Sequence, residues 1–123
     1  MYFDLIILGG GAAGYFCAAN LKLNNKSTKV AILEKGRKSL DKVRISGGGR
    51  CNVTHACFKN SHLVKNYPRG KQFLKKAFDS FSCQDTVDWF ADRGVTTKVE
   101  ADGRMFPVTD SSQTIIDLSL IHI

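Results

Sequence analysis

Apolar and polar positions divide the first third of the chain into strand, helix and strand. Residues 3–8 are apolar except for Asp4, the pattern of a parallel strand covered on both faces. Ala13, Phe16, Cys17 and Leu21 then recur at near-helical spacing. They predict a helix over 13–23 with that face, Cys17 included, packed on a sheet, and an end at Asn24-Asn25. A second apolar run at 29–33 completes a βαβ unit. Beyond residue 70 the period changes. Phe73, Leu74, Ala77, Phe78 and Phe81 predict an amphipathic helix burying an aromatic face. Ser82-Cys83-Gln84-Asp85 reads as a capping box opening another helix, with Val87, Trp89 and Phe90 inward and Gly94 just past its end. Residues 95–100 and 104–108 alternate as two strands joined around Asp102-Gly103, and Asp110 is placed to cap a last helix from 111 onward.

The fold class that follows is α/β: a Rossmann-like βαβ unit, incomplete as it stands, then a helical segment and a β-hairpin. The expected division is 1–70 for the nucleotide-binding part, 71–117 for the helices and hairpin of the same or an inserted region, and 118–123 for a tail. That tail, Leu118-Ser119-Leu120-Ile121-His122-Ile123, resembles the translation of a sequencing adapter, and the expectation is a truncated or chimeric frame. Strand faces built for burial would then meet water at about 1.5–3 kcal/mol per large side chain. The isolated fragment is accordingly expected to be poorly soluble or to bind cofactor weakly, and to be inactive.

Between the first strand and the first helix lies Gly9-Gly10-Gly11-Ala12-Ala13-Gly14. Gly9, Gly11 and Gly14 match G-x-G-x-x-G, in which the first glycine permits the tight turn, the second lets backbone approach a pyrophosphate and the third lets helix and strand pack closely. Ala12 and Ala13 supply N–H groups at the helix start, where the macrodipole also favours an anion. Glu34 stands at the end of the second strand, about 20 positions past Gly14, where an acid accepts hydrogen bonds from ribose hydroxyls and repels a 2′-phosphate. The combination points to FAD or NAD rather than NADP.

A second glycine cluster follows in Ser46-Gly47-Gly48-Gly49-Arg50-Cys51-Asn52-Val53-Thr54. Three successive glycines cost about 1 kcal/mol each in a helix interior, so the stretch predicts a loop suited to close backbone approach by a ligand. Ser46, Arg50, Asn52 and Thr54 line it with donors, and Arg50 suits an anion or the electron-rich edge of a reduced flavin.

These residues carry a family resemblance. Gly9 to Gly14, Glu34-Lys35, Ser46 to Thr54, Asn66-Tyr67-Pro68-Arg69-Gly70 and Asp102-Gly103-Arg104-Met105-Phe106-Pro107 resemble the BaiN-like flavoproteins. These are also called the aminoacetone oxidase family of FAD-binding enzymes, or NAD(P)/FAD-dependent oxidoreductases. The resemblance covers residues 1–117, and the Ser46–Thr54 block is its most specific part. It implies a two-dinucleotide-type FAD fold in a longer chain, with FAD across Gly9, Gly11, Ala12, Ala13, Gly14, Glu34 and Lys35 and the Ser46–Asn52 loop near the cofactor. It also implies flavin-mediated hydride or electron transfer on a small molecule, with NAD(P)H a candidate electron donor. His55 departs from the asparagine expected there.

Composition narrows the remainder. At 43% hydrophobic and 24% charged the chain is of ordinary globular make-up. It has no apolar run of about 20 residues and no basic segment before the first strand, so the expectation is a cytoplasmic protein that does not enter a membrane. The four cysteines show neither a C-x-x-C pair nor zinc spacing, so reduced thiols and no metal are expected. His55 and His62 are expected as solvated loop residues. The net charge of +7 is read as a solvated basic face, densest at 65–76, with no nucleic-acid partner. No side chain is assigned as acid or base, and oligomeric state is left open. Three competitors stay in view: an NAD-binding dehydrogenase using the same turn, a disulfide-reductase-like flavoenzyme using Cys51 and Cys57, and a non-catalytic basic module binding nucleotides or RNA. The five residues between the two cysteines turn them apart on a helix, which counts against the second.

Overall fold

In the computed structural model, which describes residues 1–121, the elements follow the order β1 (Leu5–Leu8), α1 (Ala12–Asn24), β2 (Val30–Leu33), α2 (Asp41–Gly49), β3 (Thr54–His55) and α3 (Asn60–Leu63). A short 3-10 turn at Val64–Asn66 precedes α4 (Lys71–Ser80), α5 (Cys83–Ala91), β4 (Thr97–Val99), β5 (Arg104–Pro107) and α6 (Ser112–Ile121). The chain divides into two compact units, residues 1–51 with 111–123, and residues 52–110. Residue 70, where a division was expected, lies within the second unit. No helix among the described residues is long and apolar enough to cross a membrane.

In the first unit β1 and β2 pair in parallel, Leu5 opposite Val30 and Leu8 opposite Leu33. The strand begins at Leu5 because Asp4 is used as a clasp: its backbone N–H donates to the Lys29 carbonyl at 2.9 Å and its carboxylate accepts from the Lys29 N–H at 2.8 Å. The expectation that strand faces built for burial meet water is met in β1. Leu5 and Ile7 are half-buried, but Ile6 is 54% exposed and Leu8 82%, because successive side chains project to opposite faces and only one face is covered among the described residues.

The packing face of α1 is also corrected. Phe16 and Cys17 are exposed, whereas Ala18 and Ala19 are buried. The helix packs against β1, β2 and α6 together, and small side chains allow that close approach. α6 lies against α2 as well, where the Ser112 hydroxyl donates to the Arg44 carbonyl at 2.8 Å and Arg44 donates to the Gln113 side chain at 2.9 Å. Ile115, Ile116 and Leu118 of α6 join Leu40 and Val43 in the core. Leu118–Ile121, in the stretch expected to be an anomalous tail, belong to α6; His122 and Ile123 lie outside the described residues.

The second unit is a three-stranded antiparallel sheet in the order β3-β5-β4 with helices α3, α4 and α5. The predicted hairpin forms between β4 and β5, with Val99 opposite Met105. β3 was not anticipated, and it places His55 in a strand opposite Arg104 rather than in a loop. Gly103 has a φ of 87°, and a Cβ there would come within 2.7 Å of the His55 ring, so the turn needs glycine for its backbone and for its space. Phe106 is fully buried and Met105, Val95, Trp89 and Leu63 are nearly so.

The capping box forms as read. Ser82 Oγ accepts from the Asp85 N–H at 3.2 Å, and Asp85 accepts from the Ser82 N–H at 2.7 Å. Those bonds from Ser82 hold the Asp85 carboxyl below its usual range. Ser82→Ala is expected to destabilise the protein by about 1 kcal/mol, as a lower midpoint in urea denaturation. The reading of α4 is corrected: none of its residues is buried, Leu74 and Phe78 are half-buried, and Phe73 is 78% exposed. Leu74 and Phe78, four apart, are enough to seat the helix against α3 and the 3-10 turn, which leaves the rest of the stripe outside. The Asp110 carboxylate accepts from Lys98 Nζ at 2.6 Å, and at the start of α6 Ser111 Oγ accepts from the Gln113 N–H at 3.3 Å.

Candidate glycine-turn site

The turn between β1 and α1 assigns separate tasks to its glycines. Gly9 has a φ of 106°, a backbone state that side chains disfavour. At Gly14 an added Cβ would collide with the Gly9 carbonyl oxygen and stand 3.1 Å from Ile7 Cγ2, so helix and strand approach only because the side chain is missing. Gly11 is different. Its φ of −93° and ψ of −173° are open to any residue, and a Cβ would meet nothing within 4 Å. The space beside Gly11 therefore lies open. Gly11 is also the N-cap of α1 and carries no capping side chain, and the first turn holds no acid. The first N–H groups of the helix, those of Ala12 and Ala13 among them, have no intrahelical acceptor and face an N-terminus that favours negative charge.

Glu34 reaches this turn from the end of β2. One carboxylate oxygen accepts from the Gly10 N–H at 2.7 Å and the other from the Gly36 N–H at 2.6 Å. The bond from Gly36 and then that from Gly10 hold the carboxyl below its ordinary value of 4.5. A Cβ at Gly10 would stand 2.9 Å from Glu34 Oε2 and 3.0 Å from Ser39 Oγ, so the acid packs on a glycine outside the three-glycine pattern. A carboxylate has about four lone-pair sites, so acceptor capacity remains for a ligand hydroxyl. Lys35 is exposed beside it. A carboxyl whose folded pKa is depressed contributes stability above its unfolded value, lost as pH falls through the folded one. Glu34→Gln is therefore expected to flatten the acid limb of the stability curve below pH 4.5, as measured by denaturant titration at stepped pH.

Leu40 is a site residue that sequence reasoning missed. It is buried with φ 60°, and its N–H donates to the Gly10 carbonyl at 2.8 Å, joining the start of α2 to the glycine turn. A bulky residue in the left-handed region is uncommon, and no sequence signal marks it.

The second glycine cluster forms the end of α2. Ser46 is extended at ψ 148°, and Gly47, Gly48 and Gly49 take φ of 55°, 67° and 88°. The loop expectation is met in that the backbone is non-helical at Ser46, Gly47 and Gly48, within an element that starts as a helix at Asp41. A Cβ at Gly48 or Gly49 would meet nothing within 4 Å. Ser46 donates its hydroxyl to the Val43 carbonyl at 2.8 Å and accepts at its own carbonyl from the Cys51 N–H at 3.0 Å. Arg50 is half-buried, and its N–H donates to the Gly47 carbonyl at 3.4 Å. Cys51 is buried with φ 62°; burial pushes its thiol up against the opposing pull of a Ser46 hydrogen bond, which disfavours the thiolate. Cys51 and Cys57 are both free thiols. Asn52 opens the second unit, where its amide, oriented to satisfy both partners, donates to the Thr54 carbonyl at 2.8 Å and the Met105 carbonyl at 3.2 Å.

The chain matches the HI0933-like protein Rossmann domain over residues 3–123. It is 34% identical over 116 residues to the ribosomal RNA dihydrouridine synthase of Escherichia coli (strain K12), covering 94% of this chain and 28% of that protein. The Haemophilus influenzae protein of the same name is 32% identical over 117 residues, 95% of this chain and 28% of the relative. The 3-dehydro-bile acid delta(4,6)-reductase of Clostridium scindens is 29% identical over 112 residues, 91% and 26% respectively. The chain thus spans little more than a quarter of the length of these relatives.

Proposed function

The chain belongs to the HI0933-like Rossmann-domain family, and from that premise we propose that it is the FAD-binding part of a flavoprotein reductase. The observation that carries this is the glycine turn itself: Gly14 closes helix on strand while the space beside Gly11 and the uncapped start of α1 stay open. The N–H groups at Gly11, Ala12 and Ala13 would hold a pyrophosphate, and Glu34 would accept from ribose hydroxyls with its remaining lone pairs. Ser46, the three glycines after it, Arg50, Cys51 and Asn52 would be the second contact segment. The resemblance to BaiN-like proteins supports the same assignment.

Bound FAD supplies hydride transfer. Dihydrouridine differs from uridine by two hydrogens across one ring double bond, and a delta(4,6)-reductase is named for ring double bonds. The reaction class we propose is therefore reduction of a carbon–carbon double bond conjugated to a carbonyl. One carbon gains a hydride that originates from NAD(P)H, and the other gains a proton. The buried thiol of Cys51 takes no part in this reading. The test is anaerobic and uses the full-length parent: its bound flavin should be bleached by NADPH or NADH and recover its colour on addition of 2-cyclohexenone or a uridine-containing RNA. Release of NAD instead of a flavin on denaturation would favour a dehydrogenase and overturn the proposal.

A further inference from the structure

We propose that Ser112, at the start of α6, is a positioning residue for the second cofactor segment. Its hydroxyl holds α2 where that helix unwinds into the glycines after Ser46, and so sets the shape they present to the flavin half of FAD. The inference rests on the FAD reading above, which gives the pyrophosphate and the adenosine ribose to the glycine turn and Glu34 and leaves the flavin half for residues 46–52. Glycine permits a positive φ without selecting one, because it populates both signs about equally. Three in succession at φ 55°, 67° and 88° therefore need fixed neighbours to keep one shape. α2 is tied at both ends. At its start the Leu40 N–H donates to the Gly10 carbonyl at 2.8 Å, and one helical turn later the Arg44 N–H donates to the Leu40 carbonyl at 2.9 Å. Just beyond, Ser46, Gly47 and Gly48 leave helical geometry. There the carbonyls of Val43 and Arg44 each accept from a hydroxyl, Val43 from Ser46 Oγ at 2.8 Å and Arg44 from Ser112 Oγ at 2.8 Å. Ser46 belongs to the segment itself, so of the two hydroxyls only that of Ser112 ties the exit of α2 to another helix.

Two blander duties do not explain that hydroxyl. Capping of α6 falls to Ser111, whose Oγ accepts from the Gln113 N–H at 3.3 Å. Packing is not the reason either: Ser112 is 5% exposed, a depth at which the methyl of alanine serves as well, so what the oxygen adds is its bond to Arg44. The Arg44 side chain reinforces the contact by donating to Gln113 Oε1 at 2.9 Å. Two consecutive residues at the start of α6 thus grip one residue of α2. Without the Ser112 bond the Arg44 carbonyl would lose its hydroxyl partner at a helix end, and the glycines that follow would be free to take other conformations. The tie from Leu40 to the glycine turn would remain.

In calorimetric titrations of the full-length parent, Ser112→Ala should weaken FAD binding about tenfold, the effect of one lost hydrogen bond. ADP-ribose, which calls only on the glycine turn and Glu34, should bind as before. A serine with a merely structural role would lower Tm and move both affinities together, or neither. Ser112→Thr, which keeps a hydroxyl, should restore most of the FAD affinity. Ser119→Ala is the control on the same helix: its hydroxyl donates to the Ile115 carbonyl within α6 at 2.8 Å, and its loss should leave the ratio of the two affinities unchanged. Should Ser112→Ala not fold, Gln113→Ala decides, because it removes only an exposed bond; the same split is expected there at about threefold. The inference is overturned by unchanged FAD affinity, by equal loss for FAD and ADP-ribose, or by the same split in Ser119→Ala. Those results leave FAD binding standing, whereas a wild-type parent that takes up no FAD would overturn the proposed function as well.

Discussion

Gly14→Ala should lower stability by about 3 kcal/mol, the upper part of the range for an overpacked site, and lower Tm by about 10 °C. The added methyl meets the Gly9 carbonyl oxygen, which is backbone, and Ile7 Cγ2 at 3.1 Å. No rotamer change relieves the first contact, so α1 must move away from β1. The same movement displaces the N–H groups at the start of the helix, and FAD binding should fall with stability. Differential scanning calorimetry checks the first effect and a flavin titration the second. A variant that melts with the wild type would mean that the close approach of helix to strand is not what requires glycine here.

Gly11→Thr separates binding from folding. Threonine serves as an N-cap about as well as glycine, and at φ −93° and ψ −173° it has no backbone strain. Its Cβ meets nothing within 4 Å in the protein. The melting temperature should therefore hold, while the added side chain fills the space through which a pyrophosphate reaches the helix. Affinity for FAD should drop at least about 100-fold, or about 2.7 kcal/mol. Measuring Tm and Kd on one preparation gives both numbers. Unchanged affinity would remove the pyrophosphate from this turn.

Between them these substitutions also mark what could be read from the chain. The turn was legible because a strand-to-helix connection imposes constraints within six residues: Gly9 takes a positive φ, Gly14 admits no side chain, and the space beside Gly11 is open. The capping box at Ser82 and the β4–β5 hairpin are local in the same sense. What escaped is settled by distant partners. The spacing of α1 suits Phe16 and Cys17 as well as Ala18 and Ala19, and the choice falls to the alanines where the helix must also accommodate α6. β3 is two residues long and shows no alternation; it exists because β5 offers it an edge. The stripe on α4 obeys helical spacing without being buried, since periodicity reports a face but not its cover.

The candidate site divides along the same line. Glu34 was legible as the acid closing β2, yet its grip on Gly10 joins positions far apart in the chain and appears only in three dimensions. The left-handed Leu40 has no sequence signature at all. Both bear on the same turn, so the acid and α2 brace the loop that the glycines shape. This gives Glu34 a structural duty beside the one expected of it toward a ribose. The glycines after Ser46 were legible as non-helical because three in succession forfeit helix stability, whereas the helical start at Asp41 has no comparable marker.

A pyrophosphate would be seated where α1 begins. Calorimetric titration of the purified protein with FAD, with FMN and ADP-ribose run alongside, tests it most directly. FAD should saturate a single site, ADP-ribose should compete for it, and FMN, which has one phosphate and no adenosine, should bind far more weakly. Equal affinity for FMN and FAD, or no uptake of FAD at all, would contradict it.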